Sequence, residues 1–141
     1  MKKRTMKSLL AIMALVCLLL TSFTVTAAAA VSNSSEISPL YTGISRLTAG
    51  LDINDDGCAE CSGATRTLSG YSVELTVKLQ RDGITIKTWD NSGTGSLSVN
   101  EDYYVTPGHD YQVIVTATVK NSAGTIIETP STKSVVVPYN N

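Results

Sequence analysis

Chemistry-bearing residues are concentrated in one short segment of this chain, LDINDDGCAECSG at residues 51–63, which holds four acidic residues and a Cys-x-x-Cys motif. The first six positions of an EF-hand calcium loop are matched by Asp52, Asn54, Asp56 and Gly57. Position twelve, which should supply a bidentate carboxylate, is Gly63, so Glu60 or Asp55 would have to compensate. The spacing therefore predicts either a weak calcium site, with an affinity roughly in the 10⁻⁴–10⁻³ M range, or a solvated hairpin tip.

The two cysteines of this segment, Cys58 and Cys61, allow three kinds of chemistry. Outside the cell a pair at this spacing usually forms a disulfide, and we expect a Cys58–Cys61 bond that fixes a turn. A redox motif would need a helix N-terminus beside a thioredoxin-like unit, and no helical period is visible here. A zinc site would need about four ligands, for which His109 and the nearby acids are the remaining donors. The latter two alternatives stay open.

Three aromatic residues, Trp89, Tyr103 and Tyr104, are candidates for ligand binding. Adjacent residues of a strand point to opposite faces, so one of the two tyrosines should be buried and the other exposed. A two-residue turn at Asp82-Gly83 would place Trp89 opposite Thr76, on the polar face of its hairpin and partly exposed. An exposed Trp beside a Tyr would form a stacking platform for a sugar or for a partner protein.

Few residues of this chain are candidates for catalysis. His109 is the only histidine, and no serine or threonine lies in a recognisable nucleophile motif. The paired acids Glu101 and Asp102 could be imagined as a glycosidase pair, but so small a chain shows no insertion that would form a cleft. We therefore predict that the protein is not an enzyme and that His109 is an exposed turn residue.

The first 30 residues have the composition of a secretory signal peptide, with four basic residues, a 12-residue apolar run and a small-residue stretch ending at Ala30. Cleavage before Val31 would leave 7 basic and 12 acidic residues, a net charge of −5. That charge argues against nucleic acids and anionic membranes as partners. We expect a secreted monomer without a membrane anchor after processing, with a flexible arm at residues 31–40 and one domain at residues 41–141.

The residues of that domain follow the period of β-strands. Apolar and polar residues alternate strictly from Tyr71 to Gln80, and nearly so from Tyr111 to Val119, which indicates half-buried strands. Turn signals at Asp82-Gly83 and Pro107-Gly108 separate such segments. About seven strands of this kind, each burying one face, predict an antiparallel β-sandwich.

Two segments of the second half, GYSVELTVKLQRDG and YYVTPGHDYQVIVTATVKNSAG, resemble a fibronectin type III or similar immunoglobulin-like module. In that family a Pro-Gly turn leads into a Tyr-x-Val-x-Val-x-Ala strand, and the resemblance implies that Tyr111 is the core tyrosine. The whole chain also resembles small secreted proteins of Gram-positive, clostridial-type bacteria that are grouped as a domain of unknown function. The signal peptide, GISRLTAGLDI, the cysteine hairpin and the strand ending in LQR carry this likeness, which implies secretion and a β-sandwich but no activity.

Three functional hypotheses follow from these observations. The first is a non-catalytic binding or structural module whose partner is an unknown protein or glycan. The second is a carbohydrate-binding module that uses Trp89 with tyrosines on one face. The third is a weak calcium-binding extracellular module, with ligands drawn from Asp52, Asn54, Asp56 and Glu60. The placement of Trp89 and of the acidic segment in the fold should separate them.

Overall fold

The structure is a computed structural model that describes residues 35–36 and 41–140. The predicted signal peptide and most of the predicted flexible arm lie outside the described residues. Every element in the described part of the chain is a β-strand. The strands are β1 (Ser35–Glu36), β2 (Ile44–Ile53), β3 (Cys58–Thr67), β4 (Tyr71–Arg81), β5 (Ile84–Gly93), β6 (Ser96–Tyr104), β7 (His109–Asn121), β8 (Ile126–Glu128), β9 (Ser131–Lys133) and β10 (Val137–Tyr139).

Two antiparallel sheets pack face to face. The first sheet has the order β1-β2-β3-β6, and the second has the order β10-β7-β4-β5, with β8 and β9 also paired to β7. The chain crosses between the sheets after β3, β5 and β6, so consecutive hairpins are divided between the two layers. This arrangement is the β-sandwich that the alternating patterns predict.

The last strand of the sandwich is interrupted. β8, β9 and β10 follow one another along the same edge of β7, opposite Val119–Lys120, Ile114–Thr116 and His109–Tyr111. Pro130 separates the first two of these short strands. Between β9 and β10 the Ser134 hydroxyl accepts a hydrogen bond from the N–H of Val113 at 2.9 Å, which replaces a ladder bond. Six continuous strands and this interrupted seventh match the predicted number, with the two-residue β1 as an addition.

The core lies between the sheets and follows the predicted alternation. Val73, Leu75, Val77 and Leu79 of β4 are at most 2% exposed, and so are Val113, Val115, Ala117 and Val119 of β7. The first sheet contributes Ile44, Leu47, Ala49, Leu51, Ala59 and Cys61. Burial of these alternating side chains is the main force holding the layers together.

Tyr111 identifies the type of sandwich. Its ring is 1% exposed, and its hydroxyl donates to the carbonyl of Thr106 at 2.8 Å and accepts from the Thr106 N–H at 3.1 Å. Such a tyrosine, near the start of a strand just after the chain has changed sheets, is the tyrosine corner of immunoglobulin-like domains. The predicted immunoglobulin-like fold is confirmed, and Tyr111 is a core residue, as the resemblance implies.

The β4–β5 hairpin corrects one predicted register. Asp82 and Gly83 have φ angles of 50° and 80°, as a two-residue turn of the predicted kind requires. However, Gln80 lies opposite Thr85 while Leu79 lies opposite Lys87, so Ile86 is the extra residue of a β-bulge. The bulge moves every later residue of β5 by one position. Trp89 therefore lies opposite Val77, and the prediction that it faces Thr76 is wrong.

Candidate functional site

The acidic segment forms the β2–β3 hairpin, and its turn is closed by Asn54. The Asn54 side-chain oxygen accepts hydrogen bonds from the N–H groups of Asp56 at 3.1 Å and Cys58 at 2.9 Å. Gly57, with a φ of 78°, donates its N–H to the Asn54 carbonyl at 3.0 Å. These contacts are a local side-chain-to-backbone closure of the turn. The Asn54 oxygen that the calcium hypothesis needs as a ligand is already used to hold the backbone.

A second hairpin has the same geometry without any acidic residue. In the β7–β8 turn, Asn121-Ser122-Ala123-Gly124, the Asn121 side-chain oxygen accepts from the N–H groups of Ala123 and Thr125, both at 3.0 Å. Gly124 has a φ of 78° and donates to the Asn121 carbonyl at 2.9 Å. The Asn-x-x-Gly spacing therefore explains both turns, and the aspartates of the β2–β3 turn are not needed to shape it.

The predicted calcium ligands do not surround a common point. Asp52 lies opposite Glu60 in the ladder, and both are exposed on the outer face of the first sheet, whereas Asp56 lies in the turn. Glu60 also lies opposite Asp102 of β6, so Asp52, Glu60 and Asp102 form an acidic row across β2, β3 and β6. Sequence reasoning did not identify Asp102 as a neighbour of the other two. Within residues 35–36 and 41–140, no group of three or more His, Cys, Asp or Glu residues is placed to hold a metal ion.

Gly63, at the position where a calcium loop would have its bidentate carboxylate, has a packing role. It lies on the inner face of β3, and a Cβ there would come within 2.5 Å of Val77 Cγ2 and 2.9 Å of Val115 Cγ2. Real Cβ atoms do not approach so closely, so a side chain at this position would force the two sheets apart. The glycine is required by the contact between β3 and the second sheet.

The predicted Cys58–Cys61 disulfide is wrong for this structure, in which both thiols are free. Cys61 points into the core and Cys58 to the outer face, because residues three apart on a strand lie on opposite sides. Their Cα atoms are separated by about 10 Å at the strand rise of about 3.3 Å per residue, beyond the roughly 4.4–6.8 Å that a disulfide spans. The extended backbone of β3 therefore prevents the bond.

The environment of the two thiols also opposes redox chemistry. Burial raises the pKa of Cys61 to about 12, and the Asp102 carboxylate adds to the shift. The pKa of Cys58 is raised by desolvation first and then by the nearby carboxylates of Asp102, Glu60 and Asp56. A reactive cysteine needs the opposite shift, toward a stable thiolate. Both cysteines therefore remain protonated thiols at neutral pH.

Trp89 and the two tyrosines do not form a flat platform. Trp89 is half-buried against the core, and its ring meets Tyr103 edge to face, with centroids 6.5 Å apart and planes at 77°. Tyr103 is half-buried as well, while Tyr104 is 76% exposed on the opposite face of β6. Trp89 and Tyr103 thus close the side of the core between β5 and β6. The prediction that one of the two tyrosines is exposed is confirmed by Tyr104, but the other, Tyr103, is half-buried and not buried.

His109 is held by the β4–β5 turn. Its Nδ1 lies 2.6 Å from Oδ2 of Asp82, and the other Asp82 oxygen accepts from the Asp110 N–H at 3.0 Å. The backbone hydrogen bond from Asp110, followed by the hydrogen bond from His109, holds the pKa of Asp82 below its usual value. His109 begins β7 and is half-buried, so the prediction of an exposed turn residue is wrong. This pair fastens one end of the second sheet.

A cleft lies at the opposite end of the sandwich, where the β3–β4, β5–β6 and β7–β8 loops meet. We call it the loop-end cleft; it has a volume of about 640 Å³, within the range of about 300–1,000 Å³ of ligand clefts. Its lining is Thr67, Leu68, Ser69, Gly70, Tyr71, Ser72, Thr94, Gly95, Asn121, Ser122 and Gly124. Sequence reasoning missed it, because each loop alone reads as ordinary turn chemistry.

Several polar groups in the loop-end cleft are left without partners. The hydroxyls of Ser69, Ser72, Thr94 and Ser122 make no hydrogen bond to any residue in the described part of the chain. Ser69, Thr94 and Ser122 are exposed, and Ser72 is half-buried. These hydroxyls come from three separate loops and, for Ser72, from the start of β4, and they share one cleft. They can therefore donate to, and accept from, a molecule that enters it.

The loops that carry these hydroxyls are fastened to the sandwich and to one another. The Thr67 N–H donates to the Gly95 carbonyl at 2.8 Å, and the Thr67 hydroxyl donates to the same carbonyl at 3.0 Å. The Leu68 N–H donates to the Gly43 carbonyl at 2.9 Å, and Asn121 closes the third loop. A ligand would meet a cleft that needs little ordering on binding.

A comparison with models of known protein families finds no match to this chain, and a comparison with curated proteins finds none either. No helix among residues 35–36 and 41–140 is long and apolar enough to cross a membrane.

Proposed function

We propose that this protein is a secreted, non-catalytic binding module and that the loop-end cleft is its binding site. The observation that carries the proposal is the convergence of four unpartnered hydroxyls, from Ser69, Ser72, Thr94 and Ser122, in one cleft. Immunoglobulin-like sandwiches present their loops in clusters at the two ends, and binding sites of this architecture are built there. The secreted location follows the signal peptide expected at residues 1–30.

The composition of the cleft supports binding rather than chemistry. Tyr, Ser, Gly and Asn dominate its lining, as they do in the recognition loops of antibodies, because they combine contact area with adaptable hydrogen bonding. The groups that could react lie elsewhere. His109 is paired with Asp82 at the other end of the sandwich, and the two cysteines have raised pKa values.

The two other hypotheses receive less support from the geometry. A carbohydrate platform at Trp89 would need its ring and a tyrosine ring side by side, and the Trp89–Tyr103 pair is edge to face. A calcium loop would need the Asn54 oxygen, which closes the turn. The loop-end cleft has neither difficulty.

The proposal is tested by a binding screen with a matched pair of variants. The full chain, as processed on secretion, is applied to immobilised purified glycans and to immobilised extracellular-matrix proteins. Ser122→Arg introduces a bulky charge into the cleft at an exposed turn position. Asp55→Arg places the same residue at the equivalent position of the Asn54 turn, at the opposite end of the sandwich.

We expect Ser122→Arg to weaken any binding found for the wild type by at least about tenfold, equivalent to about 1.4 kcal/mol. Asp55→Arg should retain that binding. Binding that survives Ser122→Arg and is lost in Asp55→Arg would place the site at the wrong end and overturn the proposal.

A further inference from the structure

We infer that the loop-end cleft recognises an uncharged, polyhydroxylated ligand, that is, a segment of a neutral glycan. This inference rests on the proposed function, because it names the class of ligand for the same site. It follows from three properties of the cleft: the absence of charge in its lining, the type of its free hydrogen-bonding groups, and its one aromatic surface.

Ionic ligands are excluded because the cleft offers no opposite charge to pair with them. The described residues that line the cleft include no Asp, Glu, Lys, Arg or His. Lys120, which lies opposite Ser72 in the ladder, is paired through its ammonium with Glu74 at 3.1 Å. A carboxylate, sulfate or ammonium group on the ligand would lose its hydration and find no opposite charge in exchange. A neutral ligand avoids that cost.

The free groups of the cleft match sugar hydroxyls. Each serine or threonine hydroxyl offers one donor and two acceptor positions, and so does each hydroxyl of a sugar. An apolar ligand would bury the hydroxyls of Ser69, Ser72, Thr94 and Ser122 without partners, at a cost for each. A polyhydroxylated ligand satisfies them and its own groups together.

Tyr71 supplies the aromatic surface. Its ring is half-buried, packed on the core at the start of β4, and it shares the cleft with Leu68, which is 43% exposed. A partly exposed aromatic ring can contact the apolar C–H face of a pyranose while its hydroxyl stays polar. The combination of one ring, one aliphatic side chain and several hydroxyls fits a sugar better than it fits an extended peptide, which needs a free strand edge or apolar pockets.

The test uses paired glycans that differ in charge but share a backbone. The full, processed chain is titrated with N-acetylchitooligosaccharides against chitosan oligomers, with methyl-esterified oligogalacturonides against free oligogalacturonates, and with neutral glucan, mannan and xylan oligomers. Two variants remove unpartnered hydroxyls with little change in side-chain volume: Thr94→Val and Ser72→Ala. Ser98→Ala, on the outer face of β6, is the matched control.

We expect at least one neutral oligosaccharide to bind, its charged counterpart to bind at least about tenfold more weakly, and Thr94→Val and Ser72→Ala each to weaken binding several-fold. Ser98→Ala should leave the affinity unchanged. Preference for the charged member of each pair, or no effect of the two cleft variants on a neutral oligosaccharide that binds, overturns the inference. If no neutral oligosaccharide binds while Ser122→Arg abolishes binding of a matrix protein, the inference fails and the proposed function stands.

Discussion

At the scale of single residues, the side chains that looked most reactive are engaged in structure. Asn54 closes a turn through two backbone hydrogen bonds, and Gly63 allows the two sheets to approach. His109 fastens a hairpin through Asp82, and Cys61 fills the core. The polar side chains that line the loop-end cleft without a partner among the described residues are three serines and one threonine, residue types that sequence alone gives no reason to select.

The hydroxyl of Tyr111 should contribute measurably to stability. Tyr111→Phe keeps the buried ring but removes the hydrogen bonds to the N–H and the carbonyl of Thr106. We expect the free energy of unfolding to fall by roughly 1–2 kcal/mol in urea denaturation. Tyr104→Phe removes a hydroxyl from a ring that is 76% exposed, and it should change stability by less than about 0.5 kcal/mol. Equal effects in the two variants would contradict the role assigned to Tyr111.

Asp82 should make stability depend on pH in the acid range. Its pKa is lowered in the folded state, so the carboxylate stabilises the fold above the usual aspartate pKa of about 3.9. That contribution is lost as the pH falls through the lower, folded-state pKa. Asparagine also tolerates the positive φ of 50° at this position. Asp82→Asn should therefore reduce the loss of stability that the wild type shows as the pH falls.

A second variant separates the two causes of the Asp82 shift. His109→Gln removes the imidazole but leaves the Asp110 N–H, the larger cause, in place. Its profile, measured by thermal unfolding between pH 2 and pH 6, should lie between those of the wild type and Asp82→Asn. If stability falls by the same amount with decreasing pH in the wild type, Asp82→Asn and His109→Gln, Asp82 does not have the lowered pKa that the structure gives it.

At the scale of elements, periodicity predicts strands well and their partners poorly. The strict alternation from Tyr71 to Gln80 identifies the buried set of β4 correctly, because the side chains of a strand alternate regardless of its neighbours. The Asp82-Gly83 turn is also predicted correctly. The bulge at Ile86 then places Trp89 on the face of the sheet opposite to the one predicted. No local sequence signal in β5 indicates the bulge.

Two variants of the β2–β3 hairpin distinguish a structural turn from a calcium site. Asn54→Ala removes two hydrogen bonds to backbone N–H groups and should lower stability by roughly 1–2 kcal/mol, whereas Asp56→Ala should cost less than about 0.5 kcal/mol. Thermal unfolding of both variants and the wild type is measured with and without millimolar calcium. A calcium-dependent rise in the wild type that Asp56→Ala abolishes would contradict the account of this segment as a turn.

At the scale of the whole molecule, the site arises from pairings that are distant in sequence. The alternating strands predict an antiparallel β-sandwich, and the resemblance of the Tyr-x-Val-x-Val-x-Ala segment to fibronectin type III modules implies the buried Tyr111. Antiparallel strands already place alternate loops at the same end, but they do not predict which of those loops are neighbours, because that depends on β4 pairing with β7 and on three crossings between the sheets. Ser69, Thr94 and Ser122 meet only after those pairings form, so the loop-end cleft could not be found from the sequence.

Amide chemical-shift mapping shows directly whether the loop-end cleft is the binding site. The ¹⁵N-labelled, processed chain is titrated with the neutral oligosaccharides and, separately, with their charged counterparts. We expect a neutral oligosaccharide to shift the amide signals of the loops around Ser69, Thr94 and Ser122, with no comparable change near Tyr104 or the acidic row. Largest shifts at Trp89 and Tyr103, at Asp52 and Glu60, or at any other surface away from these three loops would contradict it.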